Sequence, residues 1–592
     1  MTGMTPLAQA GTLDPHHFMP VDEIKQGMEG YGLTVFSGTT IDTFHVEILG
    51  VLTRMVPKGD LILARLSGGP LEETGIFGGM SGSPVYINGR LIGAAAYGWL
   101  FAKDPIAGIT PIGEMLDIWN LPPDSREGRR SFGFHFPPDE GQNREQGIPI
   151  PPEVLASNQI SVPSSDAFLR QWRTPVAVAG FDERIVELMV PFFEQFGLTP
   201  VQGGSASGDA ETPPLRPGST VAAQFIRGDA SAASVGTVTY IQGDKVLAFG
   251  HPMSRAGSIH VPMTGGIVHM VFPSLQRSFK MTTTTRPVGT FTQDRRPGTA
   301  GLLGSEAWTI PCHVDINGQG GGLVEHYSYE IVNDRLFTPT LVGWCVGNSI
   351  LATERLAGLA SLRIRTDIRL ASQPPITLEN FFTGDLAWLM ATSEAIAPIA
   401  LLIENAFEEI HIEEIGLTVW SEEKLRMATI EDIAINTLTI RPGDTIQMSI
   451  ALRPHQEPVT FRQVELIIPN DTPDGLVKVI AADAKTARNF EKARAPFNFQ
   501  PDNLNQLIDI LQTRERNNEI VVMVYRATSG LTVEGEELPS PPPSLISVMS
   551  SSKRTGDIGP TKARVLSKQR LSTDYFIVGS QAMDLEVDQD AP

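Results

Sequence analysis

The sequence predicts a mainly β chain of several domains, and three observations carry that expectation. Short apolar runs alternate with polar residues at the two-residue period of a half-buried strand. Fifty-six glycines and 45 prolines interrupt those runs, as in strand-rich folds. An Asn-Gly pair joins two of the runs, the strongest two-residue hairpin signal. At 592 residues with 41% apolar content, the chain can bury several cores. Its net charge of −21 argues against a nucleic-acid partner, because phosphate binding needs a basic surface.

Taken in order, the chain opens on MTGMTPLAQAGTLDP, whose AQA resembles the end of a signal peptide with no apolar core before it. A trimmed chain, a misplaced start and a cytoplasmic protein all fit that beginning. Over residues 20–120 strands and turns dominate. Phe44, Val46 and Ile48 alternate with His45 and Glu47, DLILARL is a further strand, and VYI and RLIGAAAY flank Asn88-Gly89. Residues 121–170 lack periodicity and are rich in proline and charge, which reads as a linker. A short amphipathic helix is expected over 182–195, with Ile185, Leu188, Met189 and Phe192 on one side, and GGSASGDAETPP as a second flexible insert. VGTVTYIQGDKVLAFGH predicts a hairpin turning at Gln242-Gly243-Asp244, its second strand ending at His251. Strands are expected to continue to about residue 373, followed by a helix from about 378 to 410. From 415 onward, alternating strands, the helix NLNQLIDILQTRERN and the loops PSPPPS and SSSKRTG predict a β-sandwich. There is no repeat at a fixed period.

Cys312 and Cys345 are the two cysteines, and no CxxC occurs, so a structural zinc site of the usual spacing is excluded. Either one disulfide or two buried thiols fits. Leu386 to Ile403 is the most apolar stretch, but Glu394 and Pro398 within it favour a buried or amphipathic helix over a membrane span.

The stretch GGMSGSPVYINGRLIGAAAYGW, residues 78–99, holds the main functional signal. One reading is a glycine turn in which Gly78, Gly79 and Gly82 supply backbone angles with positive φ. A phosphate cradle would need GxxxxGK[ST], and no lysine follows. An α/β-hydrolase elbow would need GxSxG and a following helix, whereas position 83 is serine and a strand follows. The remaining reading is a nucleophile loop of trypsin-like form. Gly79 then stands two residues before Ser81, and the amides of both point at a developing oxyanion. The glycine turn and the nucleophile loop both remain open on the residues alone.

GMSGSPVYINGRLIGA, extended upstream through EETGIFGGMSGSP, closely resembles the serine motif of the SpoIVB peptidases, trypsin-like serine peptidases of sporulation signalling. VGTVTYIQGDKVLAFGHPMS resembles the family's histidine segment, in which a strand ends in a Gly-His step. The resemblance implies Ser81 as nucleophile and His251 as general base, although a lone histidine can equally be a satisfied core residue. His260 and His269 lie nearby but lack the close spacing of zinc ligands. The family places histidine before serine, whereas here Ser81 comes first, so the two halves of the domain stand exchanged in sequence. Triads are defined by geometry and role, and chain order does not exclude one. The family's aspartate before the serine has no counterpart in RLSGGPLEETG, where Ser67 stands near that place. Asp294, in TQDRRPG, follows His251 at a separation resembling that of trypsin-like barrels and is the candidate third residue; a turn residue or an ion-pair partner of Arg295 or Arg296 is its bland alternative. Met80 cannot make the ion pair that an aspartate before the serine makes in digestive trypsin-like enzymes, which speaks against activation by that route.

The resulting expectation is a trypsin-like double β-barrel with its halves exchanged in sequence order. The serine-bearing half-barrel spans 15–120, a linker 121–180 and the histidine-bearing half-barrel 181–375. A helical segment over 376–414 and a β-sandwich accessory domain over 415–592 complete the chain. The function implied is serine endopeptidase action by limited proteolysis, self-cleavage included, on a protein or peptide substrate. No cofactor and no metal is implied, and the resemblance points to signalling outside the cytoplasm. A catalytically inactive peptidase-like scaffold or binding protein of the cell envelope is the rival. A sugar- or peptide-binding surface protein, resting on the sandwich alone, is a third reading.

Overall fold

The computed structural model describes residues 14–57, 59–99, 104–121, 170–205, 212–318, 325–353, 360–533, 536–549 and 558–590. The N-terminal AQA stretch, residues 122–169 of the expected linker, half of the GGSASGDAETPP insert and all of SSSKRTG lie outside them. The chain is mainly β and divides into two compact units, one of residues 1–311 and 328–348, the other of 312–327 and 349–592.

The first unit holds two closed rings of antiparallel strands. β1 (Glu29–Val35), β2 (Ile41–Val56), β3 (Gly59–Ser67), β4 (Pro84–Ile87), β5 (Arg90–Gly98) and β6 (Ile106–Pro111) pair in the order β1-β2-β3-β6-β5-β4, and β4 returns to β1. The alternation read from the sequence is the cause. Phe44, Val46 and Ile48 are buried and join Ile62, Ala64, Leu66, Val85, Ile92 and Ile109 in the ring's core. Asn88 (φ 50°) and Gly89 (φ 76°) make the β4–β5 turn in the left-handed conformation that a two-residue hairpin favours. β7 (Thr220–Gly228), β8 (Ser231–Gln242), β9 (Lys245–Ala248), β10 (Gly257–Phe272), β11 (Phe279–Arg295) and β12 (Gly298–Leu303) form the second ring, β7-β10-β11-β12-β9-β8, closed by β8 on β7. Both rings therefore run first–second–third–sixth–fifth–fourth, each containing the Greek-key order in which the fourth strand returns beside the first.

Several element boundaries differ from those expected. β9 ends at Ala248 and not at His251, because Phe249 (φ 66°) and Gly250 (φ 68°) leave the extended region. The expected helix over 182–195 is α1 (Glu183–Glu194), with the Asp182 side chain accepting from Arg184 N as its N-cap. Ile185, Met189 and Phe193 are buried, and Phe193 lies among the rings of Phe225, Phe337 and Trp344. A helix absent from the expectation, α2 (Thr338–Ala352), lies where strands were expected. It is buried nearly all round, so no polar face marks its period.

In the second unit, the expected helix over 378–410 begins late. Ile376–Gly384 is a strand paired with Ala360–Leu370, and the helix is α3 (Ala387–Ile403). No helix among the described residues is long and apolar enough to cross a membrane. Beyond it a sheet containing Met427–Ile435, Thr445–Pro454 and Thr460–Ile467 shares one core with a sheet built on Gly475–Ala482, Glu519–Val533 and Ser580–Val587. Ile430, Ile450 and Leu466 from one face meet Val479, Val522 and Leu585 from the other, the two-sheet core of a sandwich. Cys312 and Cys345 are both buried thiols, and burial pushes that of Cys312 up to about 12.

Candidate active site

Ser81 and His251 stand at equivalent places in the two rings. The loop carrying Ser81 links the third and fourth strands of the first ring, β3 and β4; the loop carrying His251 links the third and fourth strands of the second, β9 and β10. Both loops face the seam where the rings pack. Leu91, Ala94, Ile112 and Met115 share a cluster there with Leu247 and Ala300, and Arg296 pairs with Glu114 at 2.6 Å.

The serine loop is shaped by its glycines and by donors from both rings. Gly79 (φ 90°) and Gly82 (φ 97°) adopt the left-handed region; Gly78 does not. Gly78 is instead small for packing, since a Cβ there would lie 3.2 Å from the Pro175 ring. A Cβ on Gly82 would collide with the Thr237 carbonyl. Met80 is buried in the first ring's core. Its carbonyl accepts from Ser83 N (3.0 Å) and Ser83 Oγ (2.7 Å). From the second ring, Thr237 N donates to Ser81 O (2.8 Å), Thr237 Oγ1 to Gly79 O (2.9 Å) and Thr239 Oγ1 to Gly82 O (2.8 Å).

The N–H groups of this loop divide into two sets. Those of Gly78, Met80, Gly82 and Ser83 donate to Ser278 O, Phe77 O, Ala95 O and Met80 O respectively. Among the described residues, those of Gly79 and Ser81 have no hydrogen-bond partner. These are the two amides that the sequence assigns to an oxyanion hole. The Ser81 Oγ is buried with no partner either.

His251 is fully buried, and its neighbour Gly250 lies against the seam side of the first ring, where a Cβ would sit 2.9 Å from Ala94 Cβ. Thr110 Oγ1 donates to Gly250 O at 2.6 Å, tying β6 to the histidine loop. The His251 Nδ1 lies 2.8 Å from Pro252 O and 3.0 Å from Gln171 Nε2, which itself donates to Pro252 O at 2.6 Å. With Pro252 O accepting from Nδ1–H, the lone pair is left on Nε2, and that atom is buried without a partner. Burial lowers the imidazole to about 4, partly opposed by the Pro252 bond, so the ring is neutral at pH 7. No hydrogen bond joins Ser81 Oγ to His251 Nε2.

Asp294 is engaged elsewhere, which corrects its expected bond to the histidine. Its Oδ1 accepts from Met253 N (2.7 Å), and its Oδ2 accepts from Ser254 N (2.7 Å), Ser254 Oγ (2.9 Å) and Ala256 N (3.3 Å). The carboxylate braces the loop after His251. Its position at the β10–β11 pair Gly257↔Asp294 points it at those amides, while the Nδ1 side of the ring is taken by Pro252 and Gln171. Burial raises the Asp294 carboxyl, against the pull of those four bonds. Ser67 ends β3 and pairs with His45.

Sequence reasoning missed two residues of this site. Gln171 belongs to a short strand, Arg170–Gln171, that pairs with β5 and lies inside the expected linker; no motif marks it. Lys280 is buried on β11 beneath Gly79. In FKMTTTT the apolar residues Phe279 and Met281 take the opposite phase, so alternation would have turned Lys280 outward.

Residues 12–116 match the family model described as SpoIVB peptidase S55. The match takes in the first ring and Ser81 and ends ahead of His251. The resemblance read from the serine motif is thereby supported over the S55-matching ring. No curated protein and no solved structure matches the chain.

Proposed function

We propose that the chain is a serine endopeptidase of SpoIVB type on a trypsin-like double barrel whose halves stand in exchanged order. The observation that carries the reading is the pairing of vacancies at one seam. A buried serine hydroxyl and a buried imidazole nitrogen lack partners, beside the two unbonded amides of the serine's own loop. Buried polar groups are normally satisfied, and each exception calls for an explanation, a catalytic role among them.

In the proposed reaction, Ser81 Oγ attacks the scissile carbonyl carbon and its proton passes to His251 Nε2. The N–H groups of Gly79 and Ser81 hold the oxyanion. The imidazolium returns its proton to the leaving amine as the C–N bond breaks; water, deprotonated by His251, then opens the acyl-enzyme ester, and the imidazolium gives that proton to the departing Ser81 Oγ. The Pro252 carbonyl, itself held by Gln171 Nε2, orients the ring in place of an aspartate. Ser81 is 1% exposed and His251 0%, so a peptide reaches them only after the seam opens. Limited cleavage, of this chain included, outside the cytoplasm is the setting that the family resemblance implies.

The lack of a Ser81–His251 bond favours one rival, an inactive peptidase-like scaffold. Catalytic hydrogen bonds often tighten only with substrate bound. A fluorophosphonate probe separates the readings, since only an activated serine reacts. Wild-type chain should label at Ser81 by peptide mapping, while Ser81→Ala and His251→Ala should each abolish labelling as fully as the double variant. A wild-type chain that is folded but unlabelled would establish the scaffold.

A further inference from the structure

We infer that Lys280 is a positioning residue of this site, fixing the peptide that aims Gly79 N–H at the reacting carbonyl; the inference rests on the peptidase reading above. Three contacts converge on Gly79. The Lys280 backbone N donates to Gly78 O at 2.9 Å. A peptide is planar and trans, so the Gly79 N–H of the same unit points away from β11. The Lys280 stem lies beneath the glycine, with its Cβ, Cγ and Cδ 3.2–3.3 Å from where a Cβ on Gly79 would be. Its Nζ donates to Thr34 Oγ1 (3.0 Å) and Thr237 Oγ1 (3.2 Å), and Thr237 Oγ1 donates to Gly79 O (2.9 Å).

The Nζ explains why the residue is a lysine. A threonine hydroxyl has one proton and rotates freely until its acceptor sites are filled. With Nζ donating to Thr237 Oγ1, the hydroxyl proton is directed to Gly79 O. Both ends of Gly79 are then held, one by β11 main chain and one by the Lys280–Thr237 relay. Thr237 N bonds Ser81 O at 2.8 Å, so the same residue also fixes the serine's carbonyl. For stability alone a methionine would serve as well, because burying an amine costs free energy that a thioether does not. Burial lowers the Lys280 ammonium to about 7, and no carboxylate pairs with it among the described residues. A group that costs stability and touches the oxyanion glycine is placed for the reaction.

The test is fluorophosphonate inactivation of the full chain, resolved into a maximal rate and an apparent binding constant. Lys280→Met keeps the stem and removes Nζ. The maximal rate should fall about tenfold with the binding constant within about twofold, because the interaction is realised in the transition state. Its melting temperature should be no lower than that of wild type, which a merely structural role would not give. Thr237→Val breaks the same relay with the lysine in place and should reproduce the rate loss, so the inference stays testable if Lys280→Met fails to fold. Variants that fold and label at the wild-type maximal rate overturn the positioning role alone. An unlabelled wild-type chain overturns the peptidase reading and this inference with it.

Discussion

At the residue scale, hydrogen-bond accounting decides more than residue type does. Asp294 has the type and spacing of a triad aspartate, yet its four donors are three backbone amides and Ser254 Oγ. Its proposed role is to shape the loop after His251. Asp294→Asn exchanges one acceptor oxygen for a donor NH₂ facing N–H groups, leaving about 2 kcal/mol of unmet hydrogen bonding. A melting temperature several degrees lower is expected, with labelling of the folded fraction reduced no more than about tenfold. A triad aspartate would instead cost about 10⁴-fold with the fold intact. That result would restore Asp294 to the triad and require a rotated His251. Ser81 and His251 were legible because their motifs are local. Gln171 and Lys280 were not, because what selects them is contact with residues distant in sequence.

At the element scale, the serine loop is a joint between rings as well as a carrier of Ser81. Gly82 shows both duties, since its N–H meets Ala95 O on β5, its carbonyl meets Thr239 on β8, and its φ of 97° excludes a side chain. Gly82→Ala would face a left-handed backbone cost of about 1–2 kcal/mol and the Thr237 carbonyl in the space of the new methyl. The variant should melt markedly lower and lose labelling even where it remains folded, because the loop can relieve the collision only by moving Ser81. Labelling at the wild-type rate would show that the loop is not held as its bonds indicate. Local pattern carried the strands of the first ring and α1, where one face is polar. It failed at α2, which is buried nearly all round, and at Ile376–Gly384, a strand that only two residues separate from α3.

On the scale of the molecule, two rings of one strand order present their third-to-fourth loops to a common seam, so a site can form whichever ring comes first in the chain. That is the physical basis for proposing exchanged halves. No sequence repeat announced it, because a ring needs only alternating burial at its strands, and many sequences satisfy that. The second unit has no part in the bonds of the serine and histidine loops given above. The cut expected near residue 414 falls inside the strand Ile412–Glu422, which pairs with Ala360–Leu370. A chain ending at Glu423 keeps that pairing and removes the sandwich, whose core runs from Ala428 to Val587. That core draws on no earlier residue, so the shortened chain should stay folded. Its melting temperature should be lower, because the cut removes the bonds of Arg514 to Glu394, Arg516 to Glu379 and Asn517 to Asn380 and Phe381. Circular dichroism should report retained β structure, and fluorophosphonate should label Ser81 at a rate within a few-fold of the full chain. A shortened chain that keeps its β signal yet fails to label would mean that the sandwich completes the site, and the catalytic unit would then have to include it.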